Sequence, residues 1–448
     1  MKTIVFKIAI TISAFVFLLI IFQVREHPGG TNAVREIGLH SISLAQAADK
    51  VFNVKEFGAK GDGVSDDTAA IQAAIDSAPN GSTISLPSGT YNVANFVVKN
   101  RSGLSFVGEG RNSIIKQKSG ATRIATFQGS RDIRISKLVF DANGVESYGG
   151  VVFYDATGVL IENNSFIDSA PKPIRVTDRY PIIFGKGQSP SQDIRILNNT
   201  IDDLQLEVNH AKGVVIEGNT VTRAVKTAGI GIFSVGDNAV AEDYLITRNK
   251  VIDPVGAGFT VGLDPPTNNN CIFRRITIAN NQIIRSKTIE YGVRIGTGDS
   301  SKKTVGNVFQ DIAIKDNEFR IEKTAPVPEQ FIFANSSPTA GIVFNALTVS
   351  GNKIQNDRPG GRGYAIDLRR IQKSLIADNR IRGAANGIYM GGDLLSNEIV
   401  NNDVEASAVA YEFEGSLGGN RAVNNRVAGN PRQVWKLSEL QSSDSVQR

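Results

Sequence analysis

Ile161-Glu162-Asn163-Asn164-Ser165-Phe166 decides the reading of this chain, because its arrangement keeps returning. The pattern is apolar, two residues, Asn, one residue, apolar. It recurs as Ile196…Asn199…Ile201, Ile216…Asn219…Val221, Ile246…Asn249…Val251, Ile278…Asn281…Ile283 and Ile314…Asn317…Phe319. It continues as Val349…Asn352…Ile354, Ile376…Asn379…Ile381, Ile399…Asn402…Val404 and Ala422…Asn425…Val427. Ten copies lie between Asn164 and Asn425, spaced by 20 to 36 residues, which describes a coil with variable loops. Ile133…Ser136…Leu138 reads as an earlier coil with Ser in the Asn slot.

Apolar residues two apart face the same way on a strand. Asn tolerates the left-handed backbone of a sharp turn, and stacked Asn side chains can bond one coil to the next. Each coil is then strand, turn, strand, turn, strand, and it cannot bury its apolar side alone. Stacking the coils makes a continuous core, so the chain is expected to be all-β, a parallel β-helix. The Leu framework of a leucine-rich repeat is absent, as are the turn signals of four-stranded propeller blades.

The flanks agree with a solenoid over 51–430. Ser65-Asp66-Asp67 opens a helical pattern through Thr68, Ile71, Ile75 and Ala78, with Asp66 as N-cap and Pro79 as stop. An apolar helix there would plug the open strand edges of the first coil. Ser82 to Val93 reads as strand, turn, strand. Residues 431–448, with Val434, Trp435 and Leu437, are the expected C-terminal cap and tail.

The 448 residues are 41% hydrophobic and 21% charged, enough apolar mass for a large core. Glycine is abundant at 44, which favours short strands and tight turns over long helices. Net charge is +5, and residues 1–47 account for +2 of it. The remainder is too mildly basic to argue for nucleic acid, and no Lys/Arg run exists. The single cysteine, Cys271, rules out an internal disulfide and a cysteine-dependent zinc site.

Lys2 and Lys7 precede an apolar run from Ile8 to Phe22, and Ala45-Gln46-Ala47 offers a small-x-small cleavage site before Ala48. Residues 1–47 therefore read as a signal peptide or a retained signal anchor, and either exports the folded part to the medium, periplasm or cell surface. The anchor is the one expected membrane contact.

Phe52-Asn-Val-Lys-Glu-Phe-Gly-Ala-Lys-Gly-Asp-Gly-Val-Ser-Asp-Asp-Thr-Ala-Ala-Ile-Gln-Ala-Ala-Ile75, followed by Leu86-Pro-Ser-Gly-Thr-Tyr91, resembles the pectate-lyase superfamily. That group includes rhamnogalacturonase- and epimerase-like right-handed parallel β-helix proteins. The resemblance implies a right-handed solenoid with an N-terminal capping α-helix. It also implies a glycan bound along one strand face, with lyase, epimerase or hydrolase chemistry. Polygalacturonase-like hydrolases carry paired aspartates, a Gly-His-Gly turn and an Arg-Ile-Lys. Asp202-Asp203, Gly229-Ile230-Gly231 and Arg294-Ile295-Gly296 echo that order without the His or the Lys. The Asp-Pro-His of mannuronan epimerases and related lyases survives only as Asp264-Pro265-Pro266.

The strand before each apolar-x-x-Asn unit lines the groove in this fold, and alternation phases it. Leu206 and Val208 point in, so Gln205, Glu207 and Asn209 point out. Thr260, Arg294, Asp367 with Arg369, Tyr389 and Glu412 point out on later coils, and Asp264 ends its strand. The candidate catalytic residues are Asp264, Arg294, Glu207, His210 and Asp367. The candidate substrate contacts are Arg369, Tyr389, Thr260 and Asn209. An Arg flanked by carboxylates suits β-elimination: it neutralises a uronate carboxylate and acidifies the C5 proton. Carboxylate pairs on one face suit glycoside hydrolysis. His210, beside Lys212, is the one His beyond residue 47 and a candidate base. Opposite charges on adjacent coils also occur as plain solvated ladder pairs.

Asp62-Gly-Val-Ser-Asp-Asp67 has the look of a calcium loop but lacks its terminal bidentate Glu, and helix capping explains it better. Ca²⁺ elsewhere in the groove stays open, with no ligands assigned and no other cofactor called for. The expected function is thus an exported enzyme working on a uronate-containing polysaccharide by lyase or C5-epimerase chemistry. A hydrolase is the alternative, and so is a glycan-binding β-helix without catalysis.

Overall fold

The computed structural model describes residues 50–448, apart from 146–149, 171–181, 186, 226, 287–290, 298–302, 323–329, 336–340, 358–362, 415–416, 438–444 and 447–448. The signal or anchor expected over 1–47 lies outside the described residues. Those described form two long parallel sheets of 19 and 25 strands. The 25-strand sheet is two ladders that merge where the long strands Arg380–Gly391 and Asp403–Glu414 run through both. Each coil therefore has three sides, and the expected right-handed parallel β-helix is the fold.

The Asn pattern does two separate jobs on consecutive residues. The residue before each patterned Asn takes the left-handed turn: Asn163, Asn198, Gly218, Arg248, Asn280, Asp316, Gly351, Asp378, Asn401 and Asn424 all have φ between 53° and 68°. The patterned Asn itself turns inward. Its Nδ2 donates to Oδ1 of the next Asn at 2.9–3.1 Å, from Asn164 through to Asn425. The same Oδ1 also accepts the backbone N–H of the preceding Asn, as Asn281 does from Asn249 at 2.9 Å. The ladder so satisfies the buried backbone at a corner that no strand pairing could serve.

The earlier coil sits in a different register from the one expected. Ile135 pairs with Ile161, so Leu138, and not Ser136, occupies the slot, and the Leu138 N–H donates to Asn164 Oδ1 at 3.1 Å. A second ladder, outside the repeated apolar-x-x-Asn pattern, runs Ser374, Asn397, Asn420 at another corner.

Inside, aromatic rings stack along the axis. Phe127, Phe153 and Phe184 lie 4.7 Å apart in sequence, as do Phe273 and Phe309. Each such fully buried ring is worth about 2–3 kcal/mol relative to exposure.

The capping helix is Thr68–Ser77, and it buries Ile71, Ala74 and Ile75 over the first coil. Asp66 Oδ1 accepts the Thr68 N–H at 3.0 Å, while Asp67 is the residue at the cap position and turns away. Buried Asp67 accepts the Lys60 and Gly61 N–H groups instead. Asp62 accepts those of Val64 and Ser65. These backbone bonds account for the acidic loop as a structural device. Arg101 holds the helix C-terminus by donating to the Ile75 and Ala78 carbonyls. At the far end, Gln433–Leu437 and Ser445–Val446 each add a rung to one of the two sheets, so the solenoid backbone continues past 430.

Candidate active site

The groove ladder is built from Leu206–Val208, Ala228–Ser234, Ala257–Leu263, Val293–Thr297, Ile332–Asn335, Tyr364–Arg369, Arg380–Gly391 and Asp403–Glu414. Their registers place one residue from each strand in a single outward row. It runs Glu207, Gly231, Thr260, Arg294, Phe333, Asp367, Tyr389, Glu412. Rungs are ~4.8 Å apart, so the row from Glu207 to Glu412 is roughly 34 Å long. Alternation from the sequence thus phased Glu207, Thr260, Arg294, Asp367, Tyr389 and Glu412 outward, as found, while Gly231 and Phe333 join the row through strand register alone.

At one end Glu207 is buried and held from both sides. Its two carboxylate oxygens accept from Gln205 Nε2 at 2.5 Å and Asn209 Nδ2 at 3.0 Å. Each amide is oriented by a backbone N–H on the next coil: Ala228 donates to Gln205 Oε1 and Phe233 to Asn209 Oδ1. Asn209 therefore positions the carboxylate, a different role from the expected substrate contact; at 1% exposed it lies under the surface.

In the middle stands Arg294. Its guanidinium lies 5.7 Å over the Tyr291 ring, which stacks on Phe333 at 4.9 Å. Among the described residues no carboxylate pairs with it. One rung away, Thr260 is buried and its Oγ1 has no hydrogen-bond partner among the described residues.

The other end is a tight cluster. Buried Asp367 receives Arg369 through both oxygens, at 2.9 and 3.1 Å, and Gln330 Nε2 at 2.5 Å. Arg369 also lies 5.1 Å over the Tyr389 ring. The Tyr389 hydroxyl donates to Glu414 Oε2 at 2.9 Å, and Tyr364 donates to Glu412. Burial, then the Glu414 hydrogen bond, pushes the Tyr389 hydroxyl up to about 12. Burial and Glu412 raise Tyr364 as well, so both phenols stay protonated and act as donors. The contact with Asp367 raises Arg369 above the usual arginine value. Gln330, Tyr364, Glu414 and Tyr291 were not singled out from the sequence. Tyr291 and Gln330 lie in loops beside the row, where strand alternation does not reach, while Tyr364 and Glu414 stand on the groove strands themselves, at the first and last positions of Tyr364–Arg369 and Asp403–Glu414.

Two expected residues fall away from the row. Asp264 is on the coil next to Arg294, but Thr260 is the residue opposite Arg294 and Leu263 is opposite Thr297. Asp264 lies four residues further along, roughly 13 Å from that row. It is exposed at the rim, with its N–H donating to Ser234 Oγ and its bond to Pro265 cis. The pairing of Asp264 with Arg294 is not made. His210 takes the corner after Asn209 at φ 39°, buried, and its Nδ1 accepts the Val240 N–H at 3.1 Å. That bond occupies the nitrogen a base would use and fixes His210 as a turn residue.

The hydrolase echo also dissolves in space. Ile230, in the His slot, is a core residue between Leu206 and Phe259. Asp202 and Asp203 are on another side of the coil, both held by Arg223.

A family model described as rhamnogalacturonase A/epimerase, pectate lyase-like matches residues 51–295, more than half of the chain. The chain belongs to that family. The mannuronan C5-epimerase AlgE2 of Azotobacter vinelandii is 37% identical over 233 residues, 47% of this chain. An exo-poly-alpha-D-galacturonosidase of Dickeya chrysanthemi is 28% identical over 213 residues, also 47% of this chain. The matches span 22% and 28% of those proteins' own lengths. Among solved structures, the A-module of the Azotobacter vinelandii mannuronan C-5 epimerase AlgE4 superposes with a TM-score of 0.53 at 17% identity. That superposition covers 89% of this chain and all of that one, and it shows the shared fold.

A second model, described as a periplasmic copper-binding protein (NosD), matches residues 332–439. That stretch contains no His and no Cys, and its one Met, Met390, is buried in the core. It lacks the imidazole and thiolate ligands that copper selects, so its residues do not fit the metal. Among the described residues no group of three or more His, Cys, Asp and Glu is placed to hold a metal ion, calcium included.

Proposed function

We propose that the groove row binds a uronate-containing polysaccharide and labilises the C5 proton of one uronate, as a lyase or a C5-epimerase would. The observation that supports this best is Arg294: a cation on an aromatic shelf, in mid-groove, with no carboxylate paired to it among the described residues. A uronate carboxylate at that guanidinium would be neutralised. Removal of the C5 proton by a base then sends its electron pair into the carboxylate, where Arg294 holds the added charge. Breaking the C4–O bond gives the unsaturated product, with a proton delivered to the leaving oxygen. Returning a proton to C5 from the other face gives the epimer instead.

Asp367 is the nearest carboxylate on the row, two rungs or roughly 10 Å from Arg294, and Glu207 is three rungs the other way. The protonated phenols of Tyr364 and Tyr389 suit the donor's part. The mannuronan epimerase and the galacturonosidase among the relatives both act on uronic-acid polymers, as their names state.

A glycoside hydrolase is the second reading. Asp367 and Glu412 are two rungs apart, near the upper end of the ~6.5–9.5 Å that inverting hydrolases use. A panel of acidic and neutral polysaccharides, with and without calcium, separates the two. New ultraviolet absorbance from an unsaturated uronide supports elimination; new reducing ends without it support hydrolysis. Binding with no product leaves C5 exchange or a pure glycan-binding role. We further infer export through residues 1–47, which cell fractionation of the full chain would test.

A further inference from the structure

One outward row of the 19-strand sheet carries no charge over six successive coils. We infer that two copies of this chain pair through that face, with their coil axes antiparallel. The groove strands belong to the 25-strand sheet, so this surface is independent of the groove and of the reading of Arg294.

Strand registers set Val215, Leu245, Thr277, Ala313, Thr348 and Leu375 on consecutive rungs, all half-buried and pointing away from the core. The equivalent outward row on the third side of the same coils shows what solvent alone selects. It reads Lys250, Gln282, Glu318, Lys353, Arg380, all exposed, with four of the five charged. An apolar strip kept on one side only marks an interaction surface. Two residues further along the strands, Leu197, Ala279, Ala377 and Val400 widen it. The charges in that second row between Leu197 and Val400 are Glu217, which Arg248 holds at the rim, and Lys315, whose long stem can carry its ammonium to the edge. The Asn ladder at the adjoining corner ties coil to coil, and such side-chain ladders let a many-stranded sheet stay flat enough for a second sheet to pack on it.

The ends of the strip identify the occupant. Before Val215 stands Arg195, exposed and with no carboxylate partner among the described residues. After Leu375 stands Glu398, exposed, its neighbour Arg421 no nearer than 4.0 Å. A second copy turned about an axis along the strands, midway between the Thr277 and Ala313 rungs, sets Arg195 against the partner's Glu398, and the pair occurs twice. The same turn sets Val215 against the partner's Leu375, Leu245 against the partner's Thr348 and Leu197 against the partner's Val400. An axis along the coils would instead bring Arg195 beside the partner's Arg195, like charge on like. From Leu160 to Arg421 the face runs nine rungs, roughly 43 Å. At about 15 Å across it buries roughly 650 Å² per copy and about 1,300 Å² together, within the range of stable interfaces. Apolar residues at the centre and charges at the rim are the layout such interfaces have.

The test is sedimentation equilibrium of the full chain over a concentration series, with urea unfolding midpoints as the control for folding. The parent is expected to show a monomer–dimer equilibrium. Leu245→Lys puts one unpaired charge from each copy into the interface and should weaken association by about tenfold or more. Arg195→Glu and Glu398→Arg lie at exposed positions where folding is not at stake. Each alone should also weaken association by about tenfold, and the double variant should restore it, because the exchanged charges meet again across the two-fold axis. A parent that stays monomeric up to about 0.1 mM overturns the inference. So does a dimer that survives Leu245→Lys, since the contact then lies elsewhere, the N-terminal segment included. A double variant that fails to recover overturns the antiparallel pairing and with it the inference.

Discussion

Arg294 and Asp367 stand two rungs apart on one outward row, and neither neutralises the other. Asp367 is satisfied by Arg369 and Gln330, while Arg294 rests on Tyr291 with no carboxylate partner among the described residues. Phe333 stands between them on the row, so the two side chains are roughly 10 Å apart.

Arg294→Gln should lower turnover on a uronate polymer by about a hundredfold or more, the usual scale for losing one preorganised charge-stabilising group. The side chain is half-buried on a ring and makes no ion pair among the described residues, so circular dichroism and the unfolding midpoint should stay as in the parent. Activity retained in this variant would remove Arg294 from the site.

The Asp367–Arg369 clasp predicts an order of damage. Asp367 is 1% exposed, whereas the Arg369 side chain is 42% exposed and can turn to water. Arg369→Gln strands a buried carboxylate, and Asp367→Asn strands a cation that solvent can reach. Both should destabilise, Arg369→Gln by more, at about 1–3 kcal/mol in urea unfolding. The reverse order would mean that Asp367 is better solvated than its burial indicates.

Asn249→Ala should cost about 3–5 kcal/mol, well above an ordinary surface change. It removes the acceptor for the Asn219 N–H and Nδ2 and the donor to the Ile216 carbonyl, all inside the corner. In a stack where each coil touches only its neighbours, the loss should also broaden the urea transition by uncoupling the coils on either side. A midpoint shift no larger than that of an exposed Asn would contradict the ladder's role.

So far as the fold goes, the sequence was legible because its deciding signal was local. The Asn164 to Asn425 repeat marks the coils, and alternation within the strand that precedes each unit phases Thr260, Arg294, Asp367 and Tyr389 outward. What escaped was register between coils. Asp264 and Arg294 are correctly neighbours in coil order, but alternation carries no information on a four-residue offset along the strand. Loops of variable length conceal it. Leu138 took the Asn slot for the same reason. His210 shows a second limit: its left-handed corner and its bond to Val240 depend on a coil 30 residues away.

Acid should weaken the C-terminal coils through Asp403. The Arg426 guanidinium, ahead of Arg382, holds its carboxyl down at about 2, against an ordinary 3.8. A lowered folded-state value means that the stabilisation is complete above pH 3.8 and is lost as pH falls toward 2. Asp403→Asn should flatten that part of the stability–pH curve. A curve of unchanged slope would show that the pairs with Arg382 and Arg426 contribute nothing at acid pH.

The central claim is that this groove labilises a uronate C5 proton, and deuterium exchange reads that step before lyase and epimerase chemistry diverge. Oligouronates incubated with the protein in D2O would be analysed for deuterium at C5 and for the unsaturated product, with Arg294→Gln in parallel. The account predicts C5 deuteration or unsaturation with the parent chain and neither with the variant. Reducing ends that accumulate with C5 still fully protonated would contradict it and leave Asp367 and Glu412 as the residues of a hydrolase.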